Sequence, residues 1–245
     1  MVPGFLEFLE RERSSILKDL RTLVESESPS TSETHLSKTA DILKEMITRI
    51  TGASPEVKIR NGKQILSATY GNVLERNIFI LCHYDTVWPE GTLSRLPFQI
   101  NGDICTGPGV FDMKSGILIS LYAMKFLRAF PLKRSVTILI TPDEEVGSEA
   151  SKDLILSFAK KSDAVLVLES SEKGMLKVGR KGVGTFCSVF TRTSISISAF
   201  SGTTLVLVPP LIIPTLTVVP RSKSANSLCD IWKSSRKKYS HSLPL

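Results

Sequence analysis

Cysteine and histidine are both scarce in this chain of 245 residues. The four cysteines are widely separated and form no CxxC pair, which argues against a zinc knuckle and against a disulfide framework. We therefore expect reduced thiols in a reducing, cytoplasmic compartment. A membrane segment is not expected either. The N-terminal segment contains a charged residue as early as Glu7 and lacks the apolar core of a signal peptide. The most apolar stretch, residues 203–220, contains four prolines, which would interrupt a membrane-spanning helix.

Acidic residues are nearly absent from residues 188–245, which carry seven basic residues and Asp230 as the single acid. Most of the net charge of +7 belongs to this segment, so it is poor evidence for a nucleic-acid partner, and none is expected. The segment holds 18 Ser or Thr residues and no amphipathic helix. It is either a disordered linker or a tail translated out of its ancestral frame. The residue pattern changes abruptly within the strand-like GVGTF, which favours the second interpretation and a domain boundary after residue 187.

The first 187 residues have the pattern of an α/β domain. Apolar residues recur at helical spacing over residues 5–24 and 36–50, which predicts two amphipathic helices. Buried strands at 77–82, 136–140 and 164–168 alternate with helices at 114–130 and 149–160, and two further hairpins turn at Asn-Gly pairs. This order predicts a three-layer fold in which helices flank a mixed, largely parallel sheet.

Polar residues follow the three predicted buried strands, at the strand ends where open α/β sheets build their sites. His83 and Asp85 come directly after the first of these strands. Positions i and i+2 of an extended segment point the same way, so Asp85 can approach the His83 ring and fix its tautomer. A metal-bound imidazole needs such a partner. The alternative is an ordinary surface histidine beside an aspartate.

Carboxylates account for the other candidate residues. Asp112 lies in the glycine-rich GPGVFDMKSG before an apolar helix, where it either faces a ligand or only caps the helix. Asp143, Glu144 and Glu145 follow the second buried strand, and they repel one another unless cations or solvent separate them. An acidic helix N-terminus is the other interpretation. Glu169 follows the third strand, where a carboxylate is costly unless it is paired, metal-bound or simply exposed.

Together these residues predict a metal site at one edge of the sheet. A mixed set of imidazole and carboxylate ligands suits zinc. Two metal ions bridged by one carboxylate suit hydrolysis. The order of the motifs adds a resemblance: HYDTV, GPGVFDMKSG, TPDEEVGS, LES and GRKGVGTF resemble the successive motifs of the M20 metallopeptidase family. The resemblance covers about residues 5–187 and is strongest to the glutamate carboxypeptidase (carboxypeptidase G2-like) branch.

The resemblance implies a zinc-exopeptidase-like domain that cleaves an amide or peptide bond next to a C-terminal amino acid such as glutamate. Its substrate would be a small peptide or an N-acyl amino acid. It implies four ligands for two Zn²⁺ ions: His83, Asp112, Glu145 and Glu169. Asp112 would bridge the ions, Asp85 would orient His83, and Glu144 would be the general base. We expect Glu144 to face away from the metal-bound Glu145, free to take a proton.

After residue 187 the chain departs from the family pattern. Family members continue into a lid or homodimerisation domain and then supply a final histidine to the second zinc. The three histidines here are His35, His83 and His241, and neither His35 nor His241 matches that ligand. We therefore expect a sheet that is incomplete at the C-terminus, no dimerisation domain and a second zinc site without its last ligand. The hypotheses are an active zinc hydrolase or a catalytically inactive truncated remnant of one.

Overall fold

The computed structural model describes residues 4–71, 77–170 and 175, together with the backbone of residues 184–187 and 215–218. The chain divides into two compact units, Met1–Gly174 and Met175–Leu245. The helices described in the first unit are α1 (Phe5–Glu25), α2 (Glu33–Thr51), α3 (Ser115–Leu127) and α4 (Lys152–Lys160). Its strands are β1 (Glu56–Arg60), β2 (Lys63–Tyr70), β3 (Asn77–His83), β4 (Gln99–Asn101), β5 (Ile104–Thr106), β6 (Ser135–Thr141) and β7 (Ala164–Val167).

Five of these strands form one mixed sheet in the order β1-β2-β6-β3-β7. Strand β2 pairs antiparallel with β1 and β6, whereas β3 lies parallel between β6 and β7. The carboxyl ends of β6, β3 and β7 therefore meet at one edge of the sheet. Strands β4 and β5 form a separate hairpin.

Helices cover both faces of the sheet, which confirms the predicted α/β class with three layers. On one face, α2 packs against β2, and α3 packs against β3 and β6. Helix α1 lies on the same side and contacts α2 and α3. The apolar positions that predicted α1 and α2 are buried or partly buried there, and the buried ones include Leu20, Leu23, Leu36, Leu43 and Ile47. On the other face, α4 packs on a smaller cluster of Ile65, Phe79 and Leu139.

A buried polar network joins the three helices of the larger face. Asp19 of α1 is 5% exposed, and its carboxylate accepts hydrogen bonds from Arg49 of α2 at 2.8 Å and from the Tyr122 hydroxyl of α3 at 2.8 Å. Both carboxylate oxygens are thus paired, as burial of a charged group requires. The network fixes how the three helices pack on one another.

The predicted hairpin between β1 and β2 turns at Asn61 and Gly62, which have φ angles of 48° and 73°. Positive φ at both central residues is what a two-residue turn between twisted strands needs. Helix α2 ends at Thr51 and is followed by Gly52, whose φ of 69° is the left-handed conformation that glycine supplies after a helix. Helix α4 begins at Lys152, three residues later than expected, and a separate helical turn at residues 144–146 precedes it.

The expectation that residues 164–168 form a buried strand is wrong. Strand β7 does form, but Val165, Leu166 and Val167 are 42%, 49% and 51% exposed. Within the described residues β7 pairs only with β3 and is the last strand of the sheet. An apolar run indicates side chains that favour burial, whereas actual burial depends on the elements that lie beside the strand.

The second unit contains one described strand pair. Strand β8 (Gly184–Cys187) runs antiparallel to β9 (Thr215–Val218), with Gly184 opposite Val218. The rest of the predicted tail, including His241, lies outside the described residues, and so does most of GRKGVGTF. The domain boundary after residue 187 therefore stays a prediction. Among the described helices, none has the length and apolar character needed to cross a bilayer.

Candidate metal centre

The site forms where parallel strands end at the same edge of the sheet. His83 is the last residue of β3 and pairs in register with Thr141, the last residue of β6. The turn that holds Glu144 and Glu145 follows β6 directly, and Glu169 comes two residues after β7. The topology thus brings together side chains that are up to 86 positions apart in the sequence.

His83 lies at the centre of the site and is 2% exposed. Its Nδ1 atom is 3.1 Å from the main-chain oxygen of Asp85 and 3.3 Å from the Oδ1 atom of the same residue. The other ring nitrogen, Nε2, is 3.2 Å from Asp112 Oδ1 and 3.9 Å from Glu144 Oε2. Because Nδ1 contacts Asp85, the ring presents Nε2 to the acidic side chains. This is the orientation that a metal-ligating histidine needs.

Glu144 and Glu145 lie on one short helical turn, Glu144–Val146. Together with His83 they offer ligand atoms that all lie within 4.8 Å of one another. The expectation that Glu144 faces away from Glu145 is therefore wrong. A single 3₁₀ turn rotates adjacent residues by about 120° rather than the 180° of a strand, so both carboxylates reach the same space.

Asp143, the third acid of this segment, has a different surrounding. It is 1% exposed, and its Oδ2 atom accepts hydrogen bonds from the main-chain N–H groups of Ala150 and Ser151 at 2.7 and 3.3 Å. Its main-chain oxygen also accepts the Ser148 N–H at 2.7 Å. These bonds fold the loop between β6 and α4, so Asp143 shapes the turn that presents its two neighbours.

Asp112 reaches the site from the turn Val110–Lys114 before α3. Two contacts hold this turn against the end of β3. Gly109 has φ 71°, and a Cβ there would come within 2.7 Å of the Thr86 methyl group, so only glycine permits the approach. The buried sulfur of Met113 lies 3.2 Å from the main-chain nitrogen of His83 and accepts its hydrogen bond. The Asp112 side chain itself is 60% exposed, so the site opens to solvent there.

Mutual repulsion of the acidic groups perturbs their protonation. Burial together with the charges of neighbouring carboxylates raises the pKa of Glu144 and of Glu145 above its usual value, and Glu169 contributes to the effect on Glu144. Burial alone would lower the pKa of His83, but the bond to Asp85 and the charges of Glu144 and Asp112 raise it to about 9. The carboxylates around His83 repel one another, and a bound divalent cation would offset this repulsion.

The donor set fits a metal ion of the zinc type. It combines one oriented imidazole nitrogen with several carboxylate oxygens, which is the mixture that zinc accepts. His83, Asp112, Glu144 and Glu145 meet within hydrogen-bond or near-contact distances, and Glu169 is close enough to influence Glu144. His35, by contrast, lies in α2 and its Nδ1 atom is bonded to Ser32 at 2.9 Å.

Two side chains next to the site are missed by the motif analysis. Ser30 donates a hydrogen bond of 2.8 Å to Asp85 Oδ2, although the sequence indicates only that Ser28-Pro29-Ser30 ends a helix. Lys114 is 1% exposed and donates to the main-chain oxygen of Leu23 at 2.8 Å. Burial lowers the pKa of Lys114 to about 7, opposed by the charge of Glu27. In the sequence, only the position of Lys114 two residues after Asp112 indicates that it lies near the site.

Sequence comparison with known families adds to this geometry. The sequence model of "Peptidase family M20/M25/M40" matches residues 79–238. The chain belongs to the M20 peptidase family. The matched span begins inside β3, includes the candidate residues from His83 to Glu169 and continues past residue 187. Carboxypeptidase G2 from Pseudomonas sp. (strain RS-16) is 37% identical to this M20 chain over 112 residues.

Solved structures agree on the fold of this M20 chain. Human carnosine dipeptidase 1 superimposes with a TM-score of 0.60 at 16% identity, over 75% of this chain and 43% of that chain. An M20 family metallo-carboxypeptidase from Sulfolobus solfataricus gives a TM-score of 0.53 at 24% identity, over 70% and 39%. The match to carboxypeptidase G2 covers 44% of this chain and 27% of that protein. The chain thus spans less than half the length of each of these relatives.

Proposed function

We propose that this M20 chain carries the hydrolytic centre of a zinc-dependent carboxypeptidase or N-acyl-amino-acid deacylase. The substrate would be a small peptide or N-acyl amino acid, cleaved next to a C-terminal residue such as glutamate. The observation that carries the proposal is the convergence of His83 Nε2 on Asp112 at 3.2 Å and Glu144 at 3.9 Å, with Glu145 in the same group. The 37% identity with carboxypeptidase G2 supports the choice of substrate class.

The residues that would hold the two zinc ions are His83, Asp112, Glu145 and Glu169. In the family the second ion also takes a histidine. Within the described residues the remaining histidine is His35, which is bonded to Ser32, so a second ion there would have carboxylate ligands alone. The first ion, which keeps the imidazole, should bind more tightly. The homodimer typical of the family remains an expectation from the resemblance.

The reaction requires a proton to move from the attacking water to the leaving amine. Bound zinc would supply a polarised carbonyl and an acidified water. Glu144 is suited to take the proton because its side chain is 43% exposed to the solvent side of the site and its pKa is raised by burial and by neighbouring carboxylates. The same carboxyl can then donate the proton to the amine. Asp85 keeps Nδ1 of His83 occupied, so that Nε2 stays turned towards the acidic side chains that would share the metal.

Metal content and glutamate release test the proposal. The purified chain should bind zinc and should release glutamate from an N-acyl glutamate. Glu144→Gln should lower turnover by about 10²–10⁴-fold, the usual contribution of a general base, while the bound zinc is retained. Glu149→Gln, at an exposed acid on the same loop, serves as the matched control and should leave turnover unchanged.

The alternative of an inactive remnant makes the opposite prediction. A folded chain that binds no zinc and releases no glutamate would refute the proposed function. Turnover that survives in Glu144→Gln would reject Glu144 as the base and leave the hydrolase assignment in place.

A further inference from the structure

The carboxylate of Asp85 is fully buried and is surrounded by donors from separate parts of the chain. Its Oδ1 atom accepts the main-chain N–H of Glu144 at 3.1 Å and lies 3.3 Å from His83 Nδ1. Its Oδ2 atom accepts the main-chain N–H of Glu145 at 3.1 Å and the hydroxyl of Ser30 at 2.8 Å. Asp85 therefore orients the imidazole and also fixes the turn that carries both glutamates.

Ser30 differs from the other donors because it belongs to neither metal-binding segment. It lies in the connection between α1 and α2, 55 positions before Asp85. Glu144 and Glu145 donate from the turn that Asp85 helps to fix, and the His83 ring is the group being oriented. The Ser30 hydroxyl is thus the donor that ties the carboxylate to the connection between α1 and α2 rather than to the site itself.

The chain around Ser30 is itself held firmly against the end of β3. Pro29 and Thr86 form a parallel bridge, with Ser30 N–H donating to Thr86 at 3.1 Å and Thr86 N–H donating to Ser28 at 2.9 Å. The Ser28 hydroxyl donates to the main-chain oxygen of Tyr84. Residues 28–30 therefore behave as a short added strand, and the hydroxyl of Ser30 has a fixed position from which to donate. The main-chain oxygen of Thr86 is a second acceptor for it at 3.2 Å, but the charged Asp85 carboxylate is closer, at 2.8 Å.

We propose that Ser30 is a positioning residue, whose hydroxyl fixes the Asp85 carboxylate and thereby the His83 ring and the Glu144–Glu145 turn. Without it, Oδ2 keeps the Glu145 N–H as its one donor, and the carboxylate is held only by the turn and the ring that it positions. A hydrogen bond to a buried charged group is strong. Its loss should therefore loosen the His83 ring and the Glu144–Glu145 turn, which Asp85 positions. This effect on Asp85 does not depend on zinc, whereas the consequence for metal binding rests on the proposed function.

Loss of the Ser30 hydroxyl should weaken zinc binding without removing any ligand. Mutation of a residue bonded directly to a ligating group costs about 10–100-fold in metal affinity. Ser30 acts one bond further away, through Asp85, so we expect about a tenfold loss. The ligands themselves stay in the chain, so saturating zinc should restore the bound state.

The test compares Ser30→Ala with Ser28→Ala, which removes a similarly buried hydroxyl from the same segment without touching Asp85. Hydrogen exchange of the Glu144 and Glu145 amides in the metal-free proteins measures whether the turn is held. Competition with a chelator measures zinc affinity. Ser30→Ala should speed exchange at both amides by about tenfold and weaken zinc binding by about tenfold. Ser28→Ala should change neither.

Two further variants separate positioning from general stability. Ser30→Thr keeps the hydroxyl and should restore both readouts, whereas Ser30→Cys has a weaker donor of similar size and should give an intermediate result. Equal exchange in Ser30→Ala and the wild type would overturn the proposal, and so would equal effects of Ser30→Ala and Ser28→Ala. If the wild type binds no zinc, the proposed function is refuted but the role of Ser30 is not. The exchange measurement on the metal-free proteins still decides that role.

Discussion

Replacing Gly116 with alanine should destabilise the domain, although alanine is the better helix former. Gly116 lies in the first turn of α3, against the end of β7. A Cβ there would come within 2.1 Å of the main-chain oxygen of Leu168. Reaching an ordinary contact of 3.4 Å requires the helix or the strand end to retreat by about 1.3 Å. Such overpacking costs about 1–3 kcal/mol, against a gain of about 1 kcal/mol from helix propensity.

Because the clash is with backbone rather than with a flexible side chain, the cost should lie at the upper end, about 3 kcal/mol, which leaves a net loss of about 2 kcal/mol. For a domain of this size that loss lowers Tm by roughly 4–8 °C. Urea unfolding followed by circular dichroism measures it. The displacement should also reach the site, because Glu169 follows Leu168 directly, so zinc affinity should fall in the same variant.

The matched control is Ile119→Ala, on the same helix but 59% exposed. A change at such a position should stay within about 0.5 kcal/mol. An equal or greater stability of Gly116→Ala would show that α3 does not approach β7 as closely as described. It would also remove the reason to expect weaker zinc binding in that variant.

Two other predictions concern ionised groups. In the metal-free protein, Asp85→Asn should lower the pKa of His83 from about 9 towards its ordinary value, as followed by an NMR titration. The raised pKa means that the imidazolium stabilises the fold fully below the unfolded pKa of about 6.5. That stabilisation is lost as the pH rises through about 9, and Asp85→Asn should flatten this dependence. An unchanged pKa in the variant would contradict the role of Asp85. Asp19→Ala should cost about 1–3 kcal/mol in urea unfolding, because the Tyr122 hydroxyl loses a buried acceptor and Arg49 its partner. A loss below about 0.5 kcal/mol would mean that the network contributes little.

Local patterns were sufficient to predict most of the elements. The spacing of Leu20, Leu23 and Val24 in α1 predicts a buried stripe, and those residues are buried. The turn at Asn61-Gly62 was predictable because few other residue pairs accept two positive φ angles in succession. In each case the information lies within a few residues of the feature, since periodicity and turn chemistry are local properties.

Features that depend on neighbours distant in the sequence could not be predicted in the same way. Strand β7 has the composition of a buried strand, but its exposure is set by its place at the end of the sheet order. Glu144 and Glu145 share one space because the chain after β6 turns as a helix. The bond from Ser30 to Asp85 crosses 55 positions and has no sequence motif of its own.

The sequence by itself determined which residue types this protein can use for chemistry. One histidine and a set of acids follow apolar runs or a glycine-rich turn, and such a set favours a divalent metal whatever the exact fold. Tertiary structure decided how those groups meet: parallel pairing of β3 with β6 and β7 brought their ends to one edge, and a serine from the connection between α1 and α2 donates to the buried carboxylate. The physical reason is that ligand identity is a property of side chains, whereas distance and orientation are properties of the packed chain.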